Sequence, residues 1–294
     1  MKNNYYSILL IVIVSFCFSA FAQMEDSIID RKNEYANLHR SRFALIPHKT
    51  SYFLPFVYNW MPHEDIYKEV KEIDKDNHSS DFYKKNEAEF QFSFSIPIVR
   101  DINGKDWDIM VAYTHHAYWQ IYNSDWSRPF RETNYMPELF SRYVYDKPKK
   151  IIGLNITALD VGYVHQSNGQ IHLLSRSWDR IFARTLLQHK HFNVMLSAWY
   201  RLPERKDQDD NPDIQDFMGL GELELIRNFG KHKIHYKMPL LAKYLSHDIK
   251  YSYPMQKGLR WYVSYQSGYG HSLIEYDRRT QRLGIGFVLE HFIF

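Results

Sequence analysis

The sequence has almost no cysteine. Its single thiol, Cys17, lies in an N-terminal stretch that reads as a processing signal, so a chain trimmed of it has no disulfide framework, no thiolate nucleophile and no cysteine metal site. There is no charge excess either: 37 Lys and Arg against 34 Asp and Glu leave +3, which gives no electrostatic case for a nucleic-acid partner. Long hydrophobic runs are missing too. After residue 22 no apolar stretch reaches the roughly 20 residues that a membrane-crossing helix needs.

Residues 1–22 carry the marks of a signal peptide. Lys2 gives a positive start, Ile8 to Phe18 a short apolar run, and Ala20-Phe21-Ala22 a small-x-small cleavage site, so the mature chain is expected to begin near Gln23. Bulky Phe16 ahead of Cys17 argues against lipid attachment there. Residues 23–48, charged and weakly patterned, are expected to be a periplasmic lead-in, followed by one domain over 49–294.

What is abundant is aromatic. Tyr, Phe and Trp make up 17% of the chain while the mean hydropathy stays at −0.50. An exported, aromatic-rich chain without apolar helices can still enter a membrane as a closed β-barrel, in which the strands satisfy each other's backbone groups. The alternation needed for this is clearest at Phe90, Phe92, Phe94, Ile96 and Ile98, interleaved with Gln91, Ser93, Ser95 and Pro97. A soluble sandwich would also bury one such face, so a single strand does not decide.

The connections are more telling. Strands are predicted at about 50–60, 88–101, 107–121, 138–146, 150–165, 178–188, 191–202, 216–228, 233–244, 248–254, 259–268 and 281–294. Short links with turn residues alternate with long ones at 61–87, 122–137, 166–177, 203–215 and 269–280; only Leu245 to His247 is too short for its place. This predicts an all-β fold: a transmembrane antiparallel β-barrel of about 12 strands, with short periplasmic turns, long extracellular loops and both chain ends on the periplasmic side. Phe292 and Phe294 close a final strand that carries Leu283, Ile285, Phe287 and Leu289 on one parity. Trp107, Trp119, Trp199 and Trp261 fall at strand ends and are expected in interfacial aromatic girdles.

Within this frame one segment carries chemistry. Leu159, Val161, Tyr163, His165 and Ser167 share a parity, and on the next strand Asp179 shares one with Ile181, Ala183 and Thr185, while Arg180 and Arg184 take the other. The arginine parity belongs in a barrel lumen, so His165, Ser167 and Asp179 are expected on the outer wall at the long-loop end. Polar groups facing lipid are costly and point to function. A serine hydroxyl becomes a nucleophile when a histidine accepts its proton and a carboxylate holds that imidazole. By spacing alone a lone His-x-Ser is a weak signal, and the pattern reads sooner as interfacial polar residues with Asp179 as a loop-end cap. Arg131 and Glu132 read as a buried ion pair or loop brace. The turns His189-Lys190-His191 and Lys231-His232-Lys233 read as solvated basic turns rather than metal sites.

The runs Asn123-Ser124-Asp125-Trp126-Ser127-Arg128-Pro129-Phe130-Arg131-Glu132-Thr133-Asn134-Tyr135, Gly162-Tyr163-Val164-His165-Gln166-Ser167-Asn168-Gly169 and Ser175-Arg176-Ser177-Trp178-Asp179-Arg180 resemble the outer-membrane phospholipase A family. The resemblance implies a twelve-stranded barrel in the bacterial outer membrane that hydrolyses phospholipid acyl esters (A1, A2 and lysophospholipase type), needs Ca2+ and acts as a homodimer. It assigns Ser167 as nucleophile, His165 as general base and Asp179 as the group orienting His165, where the family commonly has asparagine. It makes the Gly169 backbone N–H an oxyanion donor, and Ser127, Ser175 and the Gln170 carbonyl oxygen donors to calcium, a hard-ligand set suited to that ion. Where Gln170 stands the family often has arginine. The competing expectations are a non-enzymatic channel or structural barrel, and a lipopolysaccharide deacylase.

Overall fold

The computed structural model describes residues 45–73, 78–104, 107–189 and 192–289. Thirteen strands form one sheet: β1 (Ile46–Pro47), β2 (Tyr52–Asn59), β3 (Asn86–Val99), β4 (Trp107–Trp119), β5 (Phe130–Ile151), β6 (Leu154–Ser167), β7 (Ser177–Gln188), β8 (Phe192–Arg201), β9 (Gly221–Phe229), β10 (His232–Leu240), β11 (His247–Gln256), β12 (Leu259–Gly268) and β13 (Thr280–Leu289). Each of β2 to β13 pairs antiparallel with its successor, and β13 returns to β2 with Leu283 opposite Tyr58 and Val288 opposite Tyr52. The twelve strands thus close on themselves and leave no sheet edge. β1 prolongs the line of β2 against β3, with Ile46 opposite Ser95.

The wall is inverted relative to a soluble protein. On β3, Glu87 and Glu89 are 0% and 1% exposed, whereas Phe92 and Ile98 are 52% and 57% exposed. Val111, Leu139, Val161, Ile181, Leu196 and Ile285 continue the outer apolar surface around the barrel. Polar side chains can be buried because they meet one another inside. Arg142 pairs with Asp160 at 2.7 Å, and Arg184 reaches both Asp160 and Glu138. Near the long-loop end Arg131 bonds Glu87 at 2.6 Å and Glu275 at 3.0 Å between the rings of Tyr83 and Tyr118, and Arg282 bonds Glu87 and Glu89. Such an outward apolar band and a charged lumen suit a lipid solvent.

The links sort by end. Among the described residues between strands, 60–73, 78–85, 120–129, 168–176, 202–220, 241–246 and 269–279 lie at one end, and 100–104, 152–153, 189, 230–231 and 257–258 at the other. The shortest of the long set is 241–246, the link predicted to be too short for its place. The 152–153 turn has φ of 50° at Ile152 and 79° at Gly153, the doubly positive geometry that matches strand twist in a two-residue hairpin. The long loops pack over the barrel mouth. Tyr67, Phe82, Tyr83, Trp126 and Ile274 form one cluster there, and Glu64 accepts the backbone N–H groups of Phe82 and Tyr83. Helix α1 (Lys68–Ile73) lies in the 60–85 loop, and helix α2 (Ile214–Met218) in the 202–220 loop.

Several boundaries differ from the sequence expectation. β5 begins at Phe130 rather than 138, because Phe130 to Tyr135 pair along β4 instead of looping out. The strand expected at 216–228 starts at Gly221; residues 214–218 are α2, whose Ile214 and Phe217 pack against Trp178 and Leu273 over the lumen. Of the lead-in expected over 23–48, residues 23–44 lie outside the described residues and 45–48 are described. Ile46 is buried with Met110, Phe140 and Phe182, and His48 meets Glu138 inside the barrel at 3.0 Å. Trp107, Trp119 and Trp261 lie on outward parities, but Trp199 points inward with Arg201, beside Trp178 and Arg180, and donates to the Gly219 carbonyl. Phe292 and Phe294 lie outside the described residues.

Candidate active site on the outer wall

β6 and β7 set the site by register. His165 lies opposite Asp179, and Ser167 opposite Ser177; on the other flank Ser167 faces Tyr135 of β5. Side chains two apart share a face, so Tyr163, His165 and Ser167 align along the outer wall. The intervening Val164 and Gln166 are buried in the lumen, where the Gln166 amide oxygen accepts from Trp178 Nε1 and Arg180 Nη2. These inward anchors fix the strand on which the outward groups stand.

His165 Nδ1 lies 2.8 Å from Asp179 Oδ1. The ionised carboxylate is acceptor-only, so Nδ1 carries the hydrogen and Nε2 is left as the acceptor. The His165 and Asp179 side chains are 37% and 31% exposed, open to whatever bathes the wall. Among the described residues no hydrogen bond joins the Ser167 hydroxyl to the ring, a looseness common before substrate is bound. The Asp179 backbone carbonyl is held by Leu202 N at 2.8 Å, so the carboxylate stands on a fixed strand rather than on a free loop end.

Beyond Ser167 the chain turns at Asn168 and Gly169. Buried Asn168 closes the 168–176 loop: its carboxamide oxygen accepts from Gln170 N and Arg176 N, and its nitrogen donates to the Leu174 carbonyl. Gly169 has φ of 63°, and a Cβ there would come within 3.0 Å of the Tyr135 ring. The left-handed backbone favours glycine here, and the close Tyr135 ring leaves little room for a side chain.

The three proposed calcium donors are placed unequally. Gln170 and Ser175 lie on the one loop that Asn168 ties together. Ser175 Oγ is 2.5 Å from Asp210 Oδ2, and Asp209 stands next to it, paired with Arg201 at 2.6 Å. A hydroxyl, a main-chain carbonyl and a neighbouring carboxylate form a hard-oxygen environment that fits calcium. Ser127 lies on the separate 120–129 loop with φ of 56°. Among the described residues there is no cluster of three or more His, Cys, Asp or Glu able to hold a metal.

Two partners escaped the sequence reading. The Tyr163 hydroxyl donates to Asp179 Oδ1 at 2.6 Å; its parity with His165 was visible, its reach to the next strand was not. Asp210 meets Ser175 only because the 202–220 loop folds back, and nothing local announced that contact. Arg131 and Glu132 form the buried brace expected of them, 3.7 Å apart, with Glu132 accepting Ile274 N. His232 bonds the Tyr251 hydroxyl and stacks on Phe229; Lys190 and His191 lie outside the described residues.

Comparison with known proteins points one way. The family model described as Phospholipase A1 matches residues 29–289. A Phospholipase A1 of Klebsiella pneumoniae is 34% identical over 274 residues, covering 91% of each chain. The solved outer membrane phospholipase A from Escherichia coli superposes with a TM-score of 0.77 at 30% identity, covering 86% of this chain and 94% of that one. The Salmonella typhi outer membrane phospholipase, solved as a dimer with bound calcium, gives 0.77 at 31% identity, over 87% and 96% of the two chains.

Proposed function

The chain belongs to the phospholipase A1 family, and from that premise we propose that it is a calcium-dependent serine hydrolase that cleaves phospholipid acyl esters from the outer wall of its barrel. The protein is an outer-membrane β-barrel and a phospholipase. The finer reading rests on one observation above all: His165 Nδ1 is engaged by Asp179 at 2.8 Å on a lipid-facing strand that presents Ser167 two residues on.

Catalysis follows from these groups. The Ser167 hydroxyl attacks the ester carbonyl as His165 Nε2 takes its proton, and Asp179 stabilises the imidazolium and keeps the ring in the tautomer that accepts. The Gly169 N–H donates to the oxyanion of the tetrahedral intermediate. Collapse breaks the ester C–O bond; His165 returns the proton to the leaving lysophospholipid alkoxide, and the acyl group stays on Ser167. Water, deprotonated by His165, then releases the fatty acid and restores Ser167. Ser175 and the Gln170 carbonyl, with Ser127, would hold Ca2+, which would supply positive charge to stabilise the oxyanion. Substrate needs no channel, since acyl chains in the bilayer lie against the wall that carries the serine. The lumen supports this reading over that of a channel, because Arg142, Asp160, Glu138, Arg184 and their neighbours fill it with ion pairs around a cavity of about 250 Å³.

The test is fatty-acid release from phospholipid vesicles by wild type and Ser167→Ala, with and without EGTA, and with lipopolysaccharide as a parallel substrate. Wild type should release fatty acid from phospholipid and lose that activity to the chelator, and Ser167→Ala should be inactive while still migrating as a heat-modifiable barrel. Retained activity in Ser167→Ala would overturn the nucleophile, and chelator-insensitive activity the calcium requirement.

A further inference from the structure

The geometry points to Tyr163 as a positioning residue of this site: its hydroxyl holds the Asp179 carboxylate for His165 on the outer wall. The inference rests on the reading of His165, Ser167 and Asp179 given above.

A single oxygen of Asp179 takes both bonds. Tyr163 O–H donates to Oδ1 at 2.6 Å and His165 Nδ1–H to the same atom at 2.8 Å. They are the only two donors to this carboxylate among the described residues. The wall on the Tyr163 side of the carboxylate is apolar: Leu139 lies opposite Tyr163 on β5 and Ile181 opposite it on β7, both outward and exposed, with Val161 the next outward residue on β6. An ionised carboxylate in such a place is costly unless hydrogen bonded, and bonds to a charged acceptor are shorter and stronger than neutral ones. Register explains why tyrosine can serve. Tyr163 sits two residues before His165 on the same face, one strand from Asp179, so its long ring spans the diagonal that a serine or threonine could not.

The position matters more in this chain than where asparagine stands at residue 179. A neutral amide carries no charge to be offset and can orient His165 through its oxygen with less help. Aspartate needs a second donor, and Tyr163 provides one from the bilayer side while its ring stays part of the apolar wall.

The test is a double-mutant comparison on the purified full chain, with fatty-acid release and the labelling rate of Ser167 by a serine-directed phosphonate as readouts. Tyr163→Phe keeps the ring and removes only the hydroxyl. It should lower kcat about tenfold with KM within about twofold, and slow labelling by a similar factor. In an Asp179→Asn background the same change should cost less than about threefold. An unchanged kcat and labelling rate in Tyr163→Phe, or an equal factor in both backgrounds, would overturn the inference and leave Tyr163 as wall packing. A Ser167→Ala protein that still releases fatty acid would instead overturn the site on which it rests. Loss in Tyr163→Phe beside an inactive Ser167→Ala supports both.

Discussion

Two polar constellations share this barrel and are built oppositely. Inside, Arg131 is closed between Glu87, Glu275 and two tyrosine rings, and every member of the group is buried. Outside, His165 and Asp179 are a third exposed and make one bond to each other and one to Tyr163. The inner group has its charges paired and its donors largely used, which suits rigidity. Among the described residues the outer group leaves His165 Nε2 and the Ser167 hydroxyl without a hydrogen bond, which is what a site that must accept and return a proton requires. A barrel strand alternates between the two environments every residue, so one hairpin can supply a structural lumen and a reactive wall at once.

The comparison can be broken from either side. The largest effect is expected from His165→Ala, which removes the base: fatty-acid release should fall about 10⁴-fold, roughly 5.5 kcal/mol of transition-state stabilisation, with heat-modifiable migration and urea midpoint unchanged. Arg131→Ala should do the reverse. It leaves Glu275 without its cation and Glu87 with Arg282 alone, and a buried charge left unpaired costs about 3–5 kcal/mol. The urea unfolding free energy should drop by that amount and the midpoint with it, with the turnover of the folded fraction little changed. If it lowered turnover as much as stability, the separation of roles would be wrong.

A smaller contrast lies in His271, on the 269–279 loop above the lumen. Burial holds its imidazole down at about 4, with Arg282 and Lys237 pushing the same way and Asp248 opposing, against an ordinary 6.5. Above pH 6.5 both folded and unfolded chains carry it neutral. As pH falls from 6.5 to 4 only the unfolded chain gains the proton, so about 3 kcal/mol is lost across that window. Hydrogen exchange in residues 269–279 should accelerate over that range, and His271→Asn should flatten the response. The smallest effect is expected from Asp179→Asn, which keeps an acceptor for His165 Nδ1 and removes a charge; turnover should fall about tenfold, near 1.4 kcal/mol, with no change in the urea midpoint.

Much of this protein was determined by the order of residues alone. Alternation at Phe90 to Ile98 set a two-faced strand, the sorting of short and long links set the barrel and its ends, and parity put His165, Ser167 and Asp179 on the outside. These are properties of period two and of turn chemistry, both local. The tertiary structure decided the rest. Whether Trp199 belonged to an interface or to the lumen depended on the register of β8, since one residue of slip exchanges the faces. That residues 214–218 coil into a helix followed from the apolar roof formed by Trp178, Leu273 and Tyr276, distant in sequence. Tyr163 reaching Asp179, and Asp210 reaching Ser175, are contacts across strands and between loops. A sequence names the face on which a side chain stands, but only closure of the barrel fixes which neighbour it meets.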